Sequence, residues 1–264
     1  MIFWRCLNTV FPNYMSNLGI VILAAGDGKR MKTGIPKVMN LLRGEPLIAH
    51  VVDHVMESGL VEKPVVVVAA NHTLVQEYLG EKAIYVVQEK QLGTGHATAC
   101  AENELKGKTK NVMVLYGDMP LITSSSIKLL ALEHERQHNT ITLATVSVPN
   151  FDGWFGYFND FGRVIRNDDQ QIIKIVEQKD ASPEEIQTRE LNTGCYCFNA
   201  EWLWMHINLL TPTNTQTELY LTDLIALAIS QNKKLGIKIG AVSIDPKEAV
   251  GINTKEHLEI AEKI

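Results

Sequence analysis

GIVILAAGDGKRM, residues 19–31, joins a continuous apolar run to a glycine-containing loop. An apolar run without alternation is typical of a strand that is covered on both faces, as in parallel sheets. Related runs follow at PVVVVAA (64–70), AIYVVQ (83–88) and NVMVLYGD (111–118). Helical patterns alternate with these strands at 46–58, about 95–105 and 123–137. The alternation predicts an α/β fold with a mostly parallel sheet and helices on both faces.

The pattern changes beyond about residue 140. Strands are predicted at ITLATVSV (141–148), at LNTGCYCF (191–198) and on both sides of a polar turn at 167–169. Helices return near 199–209 and 219–231. We interpret 16–264 as a single domain that carries a small β-rich lobe at about 150–200. Residues 1–15 are expected to be a poorly ordered N-terminal extension.

The composition excludes several classes of protein. With 264 residues, 45% hydrophobic and 21% charged, the chain is typical of a globular protein. A net charge of −5 lacks the basic excess that nucleic-acid binding favours. No apolar run reaches the roughly 18 residues that a membrane helix needs. The four cysteines have no disulfide or zinc spacing, so we expect a cytoplasmic protein with reduced thiols.

The loop after the first strand is a candidate phosphate site. Ligands of open α/β sheets bind at the carboxyl ends of the strands, and glycines let backbone amides approach phosphate oxygens. The loop is not a Walker A motif, and Met31 stands where a dinucleotide fingerprint needs a small residue. That mismatch argues against a nicotinamide dehydrogenase. Arg30 and Lys37 add two cations, and together with the glycines they indicate a polyphosphate clamp.

Asp118 ends the strand at 111–118 and lies at the same predicted sheet edge. A carboxylate at this position suits Mg²⁺, which prefers oxygen ligands and often bridges phosphates. The alternative is a capping residue for the next helix. Pro120 intervenes and the helix is predicted to begin after Thr123, which weakens that alternative.

A series of motifs resembles the uridylyltransferase domain of bacterial N-acetylglucosamine-1-phosphate uridylyltransferases, within the sugar-nucleotide pyrophosphorylase superfamily. The motifs are LAAGDGKRM (23–31), PKVM (36–39), VVQEKQLGTGHA (86–97), YGDMPL (116–121), VEQKDA (176–181), LNTG (191–194), ELYLTD (218–223) and GINT (251–254). The resemblance implies a Rossmann-like nucleotide-diphospho-sugar transferase fold. It also implies Mg²⁺-dependent condensation of UTP with N-acetylglucosamine 1-phosphate, releasing pyrophosphate.

The same resemblance implies roles for individual residues. Arg30 and Lys37 resemble the catalytic phosphate-binding cations, and Asp118 and Asn253 resemble the Mg²⁺ ligands. The implied nucleotide site consists of Leu23, Ala24, Ala25, Gly26, Gln88, Gly93 and Thr94. The implied sugar site consists of Tyr116, Gly117, Gly162, Glu177 and Asn192.

Two departures from the family pattern bear on specificity. Lys29 stands where the family commonly has Thr or Ser, and 154–161 is longer and more aromatic than the family's compact segment. Because that segment adjoins the implied sugar site, another sugar 1-phosphate or another nucleotide stays open as an alternative. No hexapeptide repeats of the family's acetyltransferase half are present in this sequence, so acetyl transfer is not expected and no oligomeric state is implied.

The rival hypothesis is a catalytically inactive relative that binds nucleotide sugars as a regulatory protein. Such a protein is expected to lose metal ligands or phosphate-binding cations. Arg30, Lys37, Asp118 and Asn253 are all retained, which favours an enzyme.

Overall fold

The apolar run that opens at residue 19 forms an interior strand of the sheet. The structure is a computed structural model, and it describes residues 17–26, 28, 30–31, 33–212 and 218–264, with the backbone alone at 232–235. The predicted extension at 1–15 and the departure at Lys29 lie outside the described residues.

Strands and helices alternate along the first half of the chain, as the sequence predicts. The strands are β1 (Leu18–Leu23), β2 (Leu41–Leu42), β3 (Glu45–Pro46), β4 (Val65–Ala69), β5 (Ile84–Gln88), β6 (Asn111–Tyr116), β7 (Ile141–Ser147), β8 (Arg163–Arg166), β9 (Ile172–Val176), β10 (Glu190–Asn199) and β11 (Ile239–Ile244). The α-helices are α1 (Leu47–Ser58), α2 (Leu74–Leu79), α3 (Thr94–Ala99), α4 (Glu102–Leu105), α5 (Ser124–Gln137), α6 (Ala200–His206), α7 (Asp223–Leu235) and α8 (Lys255–Lys263).

Nine of these strands form one mixed sheet in the described part of the chain. Its order is β11-β7-β10-β6-β1-β4-β5, and β8 joins it by pairing with β10 and β9. Strands β5, β4, β1 and β6 run parallel, whereas β10 is antiparallel to both β6 and β7. The mostly parallel α/β fold is therefore confirmed.

Both faces of the sheet are buried. Ile20 and Ile22 of β1 pack on one face with α1, and the alternate residue Val21 packs on the other face with α6 and α7. This two-sided burial explains why β1 is apolar throughout instead of alternating. Among the described residues, no helix combines the length and hydrophobicity required to cross a bilayer.

Three features differ from the sequence-based expectations. The helix expected over about 95–105 is two helices, α3 and α4, because the Ala101 amide bonds to the Thr98 carbonyl at 3.0 Å and tightens the turn between them. Strand β11 was not expected. The aromatic residues 153–160 form a 3₁₀ helix. Strands β8, β9 and β10 lie within residues 150–200. The division of the chain into a main domain and a small β-rich lobe at these residues stays a prediction.

Candidate active site

The carboxyl ends of β1 and β6 lie side by side and place two loops in contact. Leu23 pairs with Tyr116 in register, and the Gly117 amide donates to the Leu23 carbonyl at 2.9 Å. A Cβ at Gly117 would lie 2.9 Å from the Ile48 side chain and 3.2 Å from the Leu23 oxygen. Glycine is therefore required for the close approach that brings Asp118 beside the loop after β1.

Lys37 connects the glycine loop to the end of β6. Its backbone amide donates to the Gly26 carbonyl at 3.3 Å, and its ammonium group forms an ion pair with the Asp118 carboxylate. Gly28 has a φ of +64°, and a Cβ there would lie 2.9 Å from the Lys37 Cα. The glycine of the loop thus lets the chain close tightly on Lys37.

Asn253 completes this cluster from the far end of the chain. Its Oδ1 accepts from Lys37 Nζ at 3.0 Å and from an Arg30 guanidinium nitrogen at 3.2 Å. The structure therefore brings together all four side chains that the resemblance assigns to catalysis and metal binding. Asp118 is nearly buried and Arg30 is exposed, so the cluster extends from the sheet edge to the surface.

The donor set suits a hard divalent cation. The Asp118 carboxylate and the Asn253 amide oxygen converge on one positive group, the Lys37 ammonium. Oxygen ligands of this kind are the ones Mg²⁺ prefers, and the ion usually completes its coordination with phosphates and water. In the described ranges, no cluster of three or more His, Cys, Asp or Glu side chains could hold a metal. Asp118 and Asn253 would supply two protein oxygens, and phosphate oxygens and water would supply the other ligands of a bound ion.

A cleft of about 250 Å³ opens beside this cluster. The implied nucleotide residues that line it are Leu23, Ala25, Gly26, Gln88, Gly93 and Thr94. Ala24 is different, since it is buried in the hydrophobic core and does not line the cleft. Gln91 lines the cleft as well, and its side-chain amide donates to the Ala25 carbonyl at 2.6 Å, a contact that sequence reasoning missed.

Gln88 is held at the end of β5 by two contacts. Its side-chain nitrogen lies 3.2 Å from the Gly93 carbonyl oxygen and 2.9 Å from His96 Nδ1. Both amide hydrogens are used in this arrangement, so the amide oxygen is the group left to accept from a base. No role was predicted for His96 from the sequence. In the structure its ring nitrogen orients the Gln88 side-chain amide.

The segment after residue 217 covers the glycine turn that precedes α3. The Gly95 amide donates to the Leu219 carbonyl at 2.7 Å, and the Leu219 amide donates to the Leu92 carbonyl at 2.8 Å. Gly93 has a φ of +100°, and a Cβ there would lie 2.6 Å from the Leu219 oxygen. The Leu221 amide also bonds to Thr94 Oγ1 at 3.0 Å, so the covering segment is fixed to the cleft wall.

A second cleft, of about 470 Å³, adjoins the first. Its lining residues are Thr94, Tyr116, Asp160, Glu177, Gln178, Lys179, Tyr220 and Thr222. Thr94 and Tyr116 line both clefts, which makes them the boundary between the two. Burial raises the pKa of Glu177, and it raises the pKa of Tyr116 above its usual range, so the phenol stays protonated.

The remaining residues of the implied sugar site lie behind Glu177. The Gly162 carbonyl accepts from the Asn192 amide at 2.9 Å, and a Cβ at Gly162 would lie 3.7 Å from Glu177 Oε1. The Asn192 side chain donates to the Tyr196 hydroxyl at 2.7 Å and is 9% exposed. Asp160, Tyr220 and Thr222 line the same cleft and were given no role from the sequence, although Tyr220 and Thr222 stand in the ELYLTD motif.

Comparisons with known proteins show which family the chain belongs to. The profile of the MobA-like NTP transferase domain matches residues 20–156. The bifunctional protein GlmU of Acetivibrio thermocellus is 43% identical over 251 residues, which are 95% of this chain and 52% of that protein. GlmU of Brevibacillus brevis is 38% identical over 248 residues, 94% of this chain and 51% of its own length. The chain spans about half the length of the curated relatives it matches.

Two solved structures share the fold. A UDP-glucose pyrophosphorylase complexed with UDP-glucose superposes with a TM-score of 0.70 at 19% identity, covering 94% of this chain and 97% of that one. A CMP:2-keto-3-deoxy-manno-octonic acid synthetase complexed with CTP superposes with a TM-score of 0.66 at 17% identity, covering 94% of this chain and 98% of that one. At these identities the likeness shows the Rossmann-like fold alone.

Proposed function

The chain belongs to the family of MobA-like NTP transferase domains, and we propose that it condenses UTP with a sugar 1-phosphate. N-acetylglucosamine 1-phosphate is the favoured acceptor, and the products are the UDP-sugar and pyrophosphate. The similarity to GlmU proteins over 95% of the chain supports the choice of acceptor.

One observation carries the proposal. The cleft that contains the glycine loop and Gln88 meets the cleft that contains Glu177 along Thr94 and Tyr116. The Lys37 and Asp118 pair lines the first of these clefts. A nucleoside triphosphate and a second phosphorylated ligand can therefore lie end to end, with their phosphates near the cationic group.

The chemistry needs no protein nucleophile. A phosphate oxygen of the sugar 1-phosphate attacks the α-phosphorus of the nucleotide, and the bond from the α-phosphorus to the departing pyrophosphate oxygen breaks. Such transfers depend on positioning and on charge neutralisation. Lys37 and Arg30 would stabilise the negative charge that develops on the phosphates. Mg²⁺ held by Asp118 and Asn253 would neutralise phosphate charge in the same region.

The proposed contacts divide between the two clefts. Leu23, Ala25, Gly26, Gln88, Gly93 and Thr94 would bind the nucleotide, with Ala24 supporting the loop from the core. Glu177 would accept from sugar hydroxyls, with Gly162 and Asn192 shaping the wall behind it, whereas Gly117 would act through the close approach of β6 to the loop after β1. Tyr116 would donate its phenolic hydrogen at the boundary. Polar groups of this kind are what recognition of a hydroxyl-rich ligand requires.

The contacts of Gln88 support a uracil base over a cytosine base. Because its amide nitrogen is engaged by Gly93 and His96, its oxygen is left to accept from the N3–H of uracil. Cytosine has an unprotonated N3 and would face that oxygen with a lone pair. UTP is therefore the expected donor, and CTP is not.

The inactive regulatory relative remains the alternative. Such a protein would have no need for the convergence of Lys37, Asp118 and Asn253, which supports the enzyme. A cytoplasmic location is part of the proposal, and the free thiols of Cys100, Cys195 and Cys197 agree with a reducing compartment.

The test is Mg²⁺-dependent release of pyrophosphate with UTP, dTTP or CTP, each combined with N-acetylglucosamine, N-acetylgalactosamine or glucose 1-phosphate. Turnover with UTP and N-acetylglucosamine 1-phosphate is expected. Turnover with another pair would support the same reaction and would show that the proposed nucleotide or sugar ligand of the two clefts is wrong. Binding of a nucleotide sugar without turnover of any pair would favour the regulatory protein.

A further inference from the structure

The aromatic 3₁₀ helix Gly153–Asp160 connects the second cleft, which contains Glu177, with the loop that carries Asn253. Asp160, at the end of this helix, lines the second cleft, and Tyr157, in its middle, contacts Gly251. This is the segment that departs from the compact family pattern.

The Tyr157 hydroxyl binds both polar groups of Gly251. It donates to the Gly251 carbonyl at 2.8 Å and accepts from the Gly251 amide at 2.8 Å. The two contacts fix the peptide units on both sides of this glycine. A Cβ at Gly251 would lie 3.6 Å from the Tyr157 oxygen, so the hydroxyl lies against the backbone.

The fixed carbonyl of Gly251 orients the side chain of Asn253. Asn253 Nδ2 donates to the Gly251 carbonyl at 3.4 Å, which leaves Oδ1 facing Lys37 and Arg30. Between the two, the Ile252 amide donates to the Asp118 carbonyl at 2.8 Å. The loop is therefore attached to the Asp118 backbone on one side and to Tyr157 on the other.

Ring packing holds the hydroxyl in place. The Tyr157 ring makes edge contacts with Phe158 at 5.0 Å, Phe161 at 5.5 Å and His257 at 4.8 Å between ring centroids. Phe158 is fully buried in the hydrophobic core. Because His257 belongs to α8, which follows the Asn253 loop, the ring also packs against the helix that comes directly after the loop.

We propose that Tyr157 is a positioning residue that holds the Gly251–Asn253 loop so that the Asn253 amide oxygen faces the metal and phosphate position. The proposal rests on the proposed function for the presence of a metal. It goes beyond that function by assigning a role to the aromatic segment. Tyr157 is not among the residues that line either cleft, so its effect would be exerted through Asn253.

The test compares Tyr157→Phe with Tyr85→Phe. The first variant keeps the ring and loses the two contacts to Gly251. The second loses a comparable contact, from the Tyr85 hydroxyl to the Gly80 carbonyl at 2.7 Å, on the edge strand β5. Mn²⁺ binding in the presence of UTP is measured by electron paramagnetic resonance, and amide hydrogen exchange is followed over 250–254.

Tyr157→Phe is expected to speed exchange over 250–254 and to weaken Mn²⁺ binding about tenfold, the effect of losing one or two net hydrogen bonds. Tyr85→Phe is expected to change neither. Unchanged Mn²⁺ binding in Tyr157→Phe, with or without faster exchange, would overturn the proposal and leave Tyr157 a structural residue. Absence of Mn²⁺ binding in the wild-type chain would overturn the proposed function, and the metal role of this loop with it.

Discussion

The Lys37 ammonium group forms an ion pair with the carboxylate of Asp118, 81 positions further along the chain. The same nitrogen lies 3.0 Å from Asn253 Oδ1, so one cation sits where the two proposed metal ligands converge. A divalent cation bound by Asp118 and Asn253 would therefore compete with Lys37 for the same oxygens. We expect metal binding to be favoured when nucleotide phosphates offer Lys37 another partner.

Replacing Lys37 tests this competition. Lys37→Met is expected to bind Mn²⁺ about tenfold more tightly than wild type in the absence of nucleotide, because a competing charge has been removed. The variant should still lose transfer activity. The control is Lys82→Met. It removes an ammonium group that forms an exposed ion pair, with 2.9 Å between Lys82 Nζ and Asp53 Oδ1. Equal or weaker Mn²⁺ binding in Lys37→Met would show that the lysine does not compete.

Removal of the Asp118 carboxylate should abolish most of the activity. Asp118→Ala is expected to lower the rate of transfer at least about 100-fold, as expected for loss of a major electrostatic group. Asp53→Ala is the matched control, because its carboxylate is paired with a lysine at the surface. A rate for Asp118→Ala close to that of wild type would remove Asp118 from the mechanism.

The glycine turn before α3 offers a test of the nucleotide cleft. Gly93→Ala would place a Cβ 2.6 Å from the Leu219 oxygen, whereas Gly80→Ala meets nothing within 4 Å, and both glycines have positive φ. Both variants carry backbone strain. Only Gly93→Ala displaces the covering segment, so the KM for UTP should rise at least about tenfold in that variant alone. Equal KM values for UTP in the two variants would show that the segment after residue 217 has no part in nucleotide binding.

His134 predicts a pH dependence of stability. Burial lowers the pKa of His134 from 6.5 to about 4, and the neutral ring bonds Thr142 at 2.9 Å and Asn111 at 3.2 Å. The unfolded chain binds a proton at this histidine below about pH 6.5, and the folded chain does not until about pH 4.

The free energy of unfolding should therefore fall as the pH drops through that window, by about 3 kcal/mol in total. His134→Gln should be less stable at neutral pH and should lose this part of the pH dependence. Urea unfolding at several pH values measures both. The same slope in the variant as in wild type would assign the pH dependence to other groups.

Strands β1 and β4 were predictable because two-sided burial makes them apolar at every position. Strand β11 gave no such signal. It contains Gly240 and Ser243, most of it is half-exposed, and it is a strand because it pairs with β7, nearly 100 residues earlier in the chain. Long-range pairing of this kind cannot be inferred from a local pattern.

The candidate site also contains residues that local motifs predict and residues whose contacts depend on distant parts of the chain. Gly26 and Asp118 were predictable because each follows a strand end, and Lys37 because it follows Pro36 in a recognisable motif. Tyr157 was not predictable, because its role depends on Gly251, 94 positions away. His96 was set aside for a similar reason, since its contact with the Gln88 side chain depends on how α3 meets the end of β5.

Isotope labelling shows whether the chain transfers a uridylyl group to a sugar 1-phosphate. The chain is incubated with Mg²⁺, N-acetylglucosamine 1-phosphate and UTP labelled at either the α- or the γ-phosphorus. We expect the α label in UDP-N-acetylglucosamine and the γ label in pyrophosphate. Failure of the α label to enter any nucleotide sugar, with the γ label remaining in UTP or appearing as inorganic phosphate, would contradict the account.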